Sequence, residues 1–200
     1  MSENRRVKDM MRLMAWQIGS IAGSLSDEEI DAFLKEILSA GRIYVMGAGR
    51  SGLVAKAYAM RLMHLGFTAY VVGETITPAM RPSDLLVIFS GSGRTKTVAD
   101  IAETGKKLGG RIALITANPE SRIGRIADAI VILESHRDEI RDETTEFDVR
   151  QMTGEHRSFA PLGTIFETAS MVFADSCISR LMEISQIDEK QLRKRHANIE

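Results

Sequence analysis

The sequence predicts an α/β fold: a three-layer, doubly wound, five-stranded parallel sheet of flavodoxin-like order 2-1-3-4-5, with N-terminal and C-terminal helices. Two observations predict it. Short apolar runs alternate with helical stretches from residue 42 to residue 133, which is the pattern of βαβ units whose sheet is covered on both faces. Glycine-rich turns follow the first and the third of those runs, and each opens a helix. Right-handed crossovers then give an open sheet with a switch point between strands one and three.

The elements follow in order. Residues 7–23 carry Val7, Met10, Met11, Met14, Ile18 and Ile21 at helical spacing, with Trp16 on the same broad stripe. Ser26 and Glu29 make a capping box ahead of a second helix, and Gly41 is placed to end it. Ile43-Tyr44-Val45-Met46 reads as strand one, and residues 51–65 as a helix closed by Gly66. Ala69-Tyr70-Val71-Val72 is strand two and residues 85–89 are strand three. A helix over residues 95–108 ends at Gly109-Gly110, and residues 112–115 are strand four. A short helix over residues 122–127 leads to strand five, Ile130-Val131-Ile132-Leu133. Residues 135–158 hold Arg137-Asp138-Glu139 and Arg141-Asp142-Glu143 with no apolar period, so a long charged loop is expected. Pro161 opens a long helix with Ile165, Phe166, Ala169, Val172, Phe173 and Cys177 along one side. A last polar helix starts near Asp188 and carries Lys194-Arg195-His196. The expected organisation is one domain: helices over 1–40, the sheet over 41–134, the loop over 135–160 and helices over 161–200.

Composition excludes several functions. Lys plus Arg number 26 and Asp plus Glu 27, a net charge of -1, so the basic excess of a nucleic-acid binder is missing. The one cysteine, Cys177, permits neither an internal disulfide nor a four-cysteine zinc site. No apolar run approaches the ~20 residues of a membrane span. Met1-Ser2-Glu3-Asn4-Arg5-Arg6 has no apolar stretch behind it. A cytoplasmic protein with no membrane contact is expected.

Two turns carry the chemistry. Gly47-Ala48-Gly49-Arg50-Ser51-Gly52 spells G-x-G-x-x-G, and Glu74 stands where a dinucleotide fold keeps its ribose-binding acid. A nicotinamide-dependent oxidoreductase is one reading. Any anion at a helix N-terminus asks for the same glycines, however. The second turn, Ser90-Gly91-Ser92-Gly93-Arg94-Thr95, adds three hydroxyls around another helix start. Hydroxyls rotate to meet phosphate oxygens, and a dinucleotide fold has no need of this second cup. Both turns would face one small site at the switch point.

These residues resemble a known family. The Ser-Gly-Ser-Gly-x-Thr turn is similar to that of the sugar isomerase (SIS) domain, which binds phosphosugars. The first glycine turn continuing through Ala59-Met60-Arg61-Leu62-Met63-His64-Leu65-Gly66 resembles the 6-phospho-3-hexuloisomerase family. So do Val72-Gly73-Glu74-Thr75-Ile76-Thr77-Pro78-Ala79, Pro161-Leu162-Gly163-Thr164-Ile165-Phe166-Glu167 and Lys194-Arg195-His196-Ala197-Asn198-Ile199-Glu200. The charged loop at 135–158, with His136 and His156, is the poorest match.

The resemblance implies an isomerase that interconverts 3-hexulose 6-phosphate and fructose 6-phosphate through an enediol. That reaction belongs to formaldehyde fixation by the ribulose monophosphate route and requires no cofactor. It implies a phosphosugar substrate, functional coupling to 3-hexulose-6-phosphate synthase and a homotetramer. Another sugar isomerase, such as an arabinose 5-phosphate isomerase, and a non-catalytic phosphosugar-binding protein are the alternatives. The site residues expected are Glu167 as carbon base, His64 and His196 as proton shuttles or positioning groups, and Gly49, Arg50, Ser51, Ser90, Ser92 and Thr95 around the phosphate. His64 lies thirteen positions after Ser51, ~20 Å along a helix, so it faces away from its own phosphate cup. The Met/Trp/Ile stripe of the first helix and the apolar side of residues 165–177 are expected to exceed what one sheet can cover, which favours an oligomer.

Overall fold

The computed structural model describes residues 4–133, 164–196 and 198. The charged loop with His136 and His156, the Pro161-Leu162-Gly163 stretch and the residues after His196 other than Asn198 lie outside the described residues.

Two helices, α1 (Asn4–Ser24) and α2 (Asp27–Ser39), precede β1 (Ile43–Gly47) and α3 (Arg50–Leu65). Then come β2 (Ala69–Val71), β3 (Leu85–Phe89), α4 (Lys96–Lys107), β4 (Arg111–Thr116) and β5 (Ala129–Ile132). The long helix α5 (Thr164–Ser185) and the short α6 (Glu189–Arg193) follow. All strand pairs are parallel, in the order β2-β1-β3-β4-β5. The expected fold class is therefore observed.

Alternation along the strands divides the core into two layers. Ile43, Val45, Leu85, Val87, Phe89, Ala113, Ile115 and Val131 pack under α2, α3 and α5. Tyr44, Met46, Leu86, Ile88, Ile112 and Leu114 face the other way, against Val98, Ala99 and Ala102 of α4 and Ile123. Phe173 of α5 sits 5.6 Å from Phe33 of α2 between ring centroids. Truncating it to Ala would cost about 3–5 kcal/mol as a buried aromatic. This packing corrects one expectation: Ile165, Ala169, Phe173 and Cys177 are buried in the chain's own core. They add nothing to an outer surface. The exposed apolar side chains include instead Val7, Met11 and Trp16 on α1, Leu53, Met60 and Met63 on α3, and Val172 on α5.

Helix ends show where side chains override local expectation. The Ser26 hydroxyl accepts the Glu29 amide at 3.3 Å, which is half of a capping box. The Glu29 carboxylate does not return to the cap. It accepts the Ile132 amide at 2.9 Å and so occupies a donor on the edge strand β5. Gly41 does not take a left-handed conformation; α2 ends through an extended Ala40. Gly66 does close α3, at φ 96, and a Cβ there would lie 2.6 Å from the Arg195 guanidinium. The segment before β5 forms a single 3-10 turn, Gly124–Ile126, in place of a short α-helix. Among the described residues no helix is long and apolar enough to cross a membrane.

Candidate active site

The site begins at two strand ends in register. Gly47 of β1 pairs with Phe89 of β3, so both glycine turns leave the sheet side by side. The first turn needs glycine for space and for backbone. A Cβ at Gly47 would lie 2.7 Å from the Ser51 backbone, and Gly49 sits at φ 56, ψ -128. The chain can then turn directly into α3, whose first residues are Arg50 and Ser51.

The second turn folds on itself. The Ser90 hydroxyl accepts the Gly93 amide at 3.2 Å, and the Ser92 hydroxyl accepts the Arg94 amide at 3.3 Å. Each hydroxyl keeps its own hydrogen to donate. Thr95 is the N-cap of α4 and its side chain makes no capping bond. The Gly91, Ser92 and Thr95 amides make no hydrogen bond among the described residues. Donors therefore gather at the start of α4, where the helix dipole also favours an anion.

Glu167 meets the first glycine turn and its neighbour Phe166 the second. It stands in the first turn of α5, and its neighbour Phe166 lies against Gly91, where a Cβ would be 3.1 Å from the ring. The Ser51 hydroxyl donates to Glu167 Oε1 at 3.4 Å, and Arg50 Nε lies 3.6 Å from Oε2. The Glu167 side chain is only 13% exposed, and Oε2 is buried without a hydrogen-bond partner among the described residues. Burial pushes the carboxyl above the usual carboxylate range, against its own backbone amide, the Arg50 charge and the Ser51 hydroxyl, which pull it down. A partly desolvated carboxylate, with one oxygen that makes no hydrogen bond and faces only the Arg50 charge, is suited to take a proton from carbon.

The two histidines lie elsewhere. His64 is buried at the far end of α3, and its ring stacks on His196 with centroids 3.9 Å apart. Arg195 donates to the His64 carbonyl at 3.1 Å, which fastens the C-terminal segment to that helix end. Burial holds the His64 imidazole below its ordinary value, with the His196 and Arg61 charges acting the same way. Within one chain the structure thus brings Glu167, Arg50, Ser51 and the second turn together, and keeps His64 and His196 about 20 Å away along α3.

The fold matches that of known proteins. The SIS domain model matches residues 36–146, more than half of the chain. The chain belongs to the SIS domain family. Relatives within it are more specific. The 3-hexulose-6-phosphate isomerase of Bacillus subtilis is 40% identical over 92% of this chain and 94% of its own length. That of Mycobacterium gastri is 36% identical over 97% and 92%. The crystal structure of a hypothetical protein from Methanococcus jannaschii, inferred to be a 3-hexulose-6-phosphate isomerase, is 31% identical, with a TM-score of 0.80 over 96% of this chain and 99% of that one. This SIS chain therefore belongs with the 3-hexulose-6-phosphate isomerases.

The SIS architecture also accounts for the residues that imitate a dinucleotide site. Glu74 is engaged by Lys56 Nζ at 2.6 Å, on the exposed flank of α3. Among the described residues no three His, Cys, Asp or Glu side chains could hold a metal ion. An apolar cavity of about 150 Å³ lies between α1, α2 and α5, lined by Ile21, Leu34 and Phe173, away from the glycine turns. Sequence reasoning missed the loop after β4, where Thr116, Asn118 and Ser121 back the second turn. The polar Thr116 and Asn118 at a strand's C-terminal end were the available signal.

Proposed function

We propose that this chain interconverts 3-hexulose 6-phosphate and fructose 6-phosphate. The observation that carries the reading is the largely buried Glu167 carboxylate held by Arg50 and Ser51 of the first turn, with its neighbour Phe166 against the second, in a chain whose relatives bear that enzyme's name. The phosphate sits on the second turn, held by Ser90, Ser92, Thr95 and the free amides there, with Ser51 and the Gly49 turn beside it. Glu167 removes the proton at carbon two, giving an enediol, and returns it at carbon three. Arg50 steadies the charge that develops on the oxygens. The distant phosphate orients the reacting carbons through its binding energy. The step is an internal redistribution of hydrogen and needs no redox partner.

The same reading assigns a cytoplasmic homotetramer, a dimer of dimers, with sites completed between subunits and a 3-hexulose-6-phosphate synthase supplying the substrate. Leu53, Met60 and Met63 form an exposed apolar line from the first glycine turn to the His64 end of α3. A two-fold axis through the middle of that helix would set His64 of the partner subunit opposite Arg50 and Ser51. The histidines then serve a neighbour's site, moving protons between oxygens or positioning substrate.

A coupled assay tests the function. Purified protein is mixed with a synthase that makes 3-hexulose 6-phosphate, and fructose 6-phosphate is followed. Turnover that is lost in Glu167→Gln supports the reading. No turnover by the folded wild type, beside binding of fructose 6-phosphate, would replace it with a sensor.

A further inference from the structure

The second turn is not self-supporting. Its three consecutive carbonyls, those of Gly91, Ser92 and Gly93, all point at the loop between β4 and β5, and each meets a donor there. The Gly91 carbonyl accepts the Ala117 amide at 3.1 Å and the Thr116 hydroxyl at 3.2 Å. The Ser92 carbonyl accepts Asn118 Nδ2 at 3.3 Å, and the Gly93 carbonyl accepts the Ile123 amide at 3.3 Å. The Thr116 hydroxyl also accepts the Asn118 backbone amide at 3.0 Å, which holds the Asn118 backbone beside the turn. Gly93 stands at φ 61 with no room for a side chain, since a Cβ would overlap the fully buried Ser121 hydroxyl.

This arrangement has an electrostatic consequence. A peptide carbonyl near a phosphate dianion repels it, and an amide N–H attracts it. Turning all three carbonyls to one side leaves the free Ser92 amide on the other, while the Gly93 and Arg94 amides are taken up by Ser90 and Ser92. We infer that Thr116 and Asn118 are positioning residues for the phosphate cradle, acting on the turn carbonyls and never on the substrate. The inference rests on the reading of residues 90–95 as the phosphate site. Asn118 is the more specific part, because the Ser92 carbonyl has no other donor among the described residues. Thr116 is completely buried, so its hydroxyl acts only on its neighbours.

The test uses inorganic phosphate as the probe, by titration calorimetry on the full chain, together with KM and kcat for fructose 6-phosphate. Asn118→Asp keeps the shape but replaces the donor with a second acceptor. Thr116→Val keeps the shape and removes the hydroxyl, and Thr116→Ser restores it. Expected is about tenfold weaker phosphate binding and a parallel rise in KM for Asn118→Asp and Thr116→Val, the loss of about one hydrogen bond's worth of anchoring. Near wild-type values are expected for Thr116→Ser. Asn118→Ala reads the same contact if either isosteric variant unfolds. Phosphate binding unchanged within twofold in the Asn118 and Thr116 variants, but weakened in Ser92→Ala, would overturn the inference and leave the phosphate site standing. Unchanged binding in Ser92→Ala as well would remove both. Lower thermal stability with unaltered phosphate affinity would reduce Thr116 and Asn118 to packing and also overturn it.

Discussion

The Ser51 hydroxyl reaches Glu167 Oε1 at 3.4 Å across 116 positions of sequence. The first joins α3 to the glycine turn after β1, and the second opens α5. Their meeting turns two helix starts into one site, and it leaves the second carboxylate oxygen buried beside Arg50 without a hydrogen bond among the described residues.

Glu167→Gln keeps the size and the bond to Ser51 but removes the base. kcat should fall by roughly 10²–10⁴-fold with KM little altered. The wild type in deuterated water should place deuterium in the product, because an enediol route lets the proton exchange. Its carboxyl is raised by burial. The acid limb of kcat/KM should therefore lie above the ordinary carboxylate value. Arg50 opposes that rise, so Arg50→Ala should move the limb higher still. A limb that does not move between wild type and Arg50→Ala would separate the rate from this carboxyl.

The second turn should show its role in KM. Ser92→Ala removes one or two charge-assisted hydrogen bonds and should lower kcat/KM by roughly ten- to a hundredfold. The Ser90→Ala, Ser92→Ala double variant should lose more. Steady-state kinetics of the double variant equal to wild type would exclude these hydroxyls from phosphate binding.

Sequence periodicity carried the sheet, because each strand is an apolar run that ends at a glycine or polar turn. The glycine at the end of β1 and the one closing α3 were legible for the same reason. Relationships across the fold were not. Nothing near Glu29 in sequence announces that its carboxylate caps Ile132, or that the Arg195 guanidinium fills the space above Gly66. The apolar side of α5 looked like surplus surface because α1 and α2 could not be placed over it from sequence alone. Asn118 announced itself only as a polar residue after β4; that it reaches the Ser92 carbonyl was not legible, because a backbone partner has no sequence signature.

Acid should loosen the C-terminal segment. His64 is held below its ordinary value, so the folded state prefers the neutral ring. That preference contributes stability above the unfolded-state value, ordinarily about 6.5. The contribution is lost as pH falls from there through the lower folded value. Thermal unfolding followed between pH 7.5 and pH 5 should show a falling Tm, and His64→Phe, which can still stack on His196, should flatten the slope. Equal slopes for both proteins would assign the acid sensitivity to other groups.

The last prediction concerns where the histidines act. In one chain His64 and His196 stack on each other about 20 Å from Ser51 along α3. If they serve a neighbouring subunit's site, Glu167→Gln and His64→Asn damage different halves of a shared centre. Each variant alone should be impaired. Subunits of the two, dissociated, mixed and reassembled, should form some sites in which an intact Glu167 faces an intact His64. For a symmetric pair with one lesion on each chain, one of the two sites is fully wild type. Activity of the mixture should therefore rise well above the sum of the separate variants, towards half of wild type per mixed dimer. Light scattering on the same samples should report a mass near a multiple of 22.1 kDa greater than one. Strict additivity in a mixture that has demonstrably exchanged subunits would confine each site to a single chain, and the stacked pair would then be a fastening for the C-terminal segment alone.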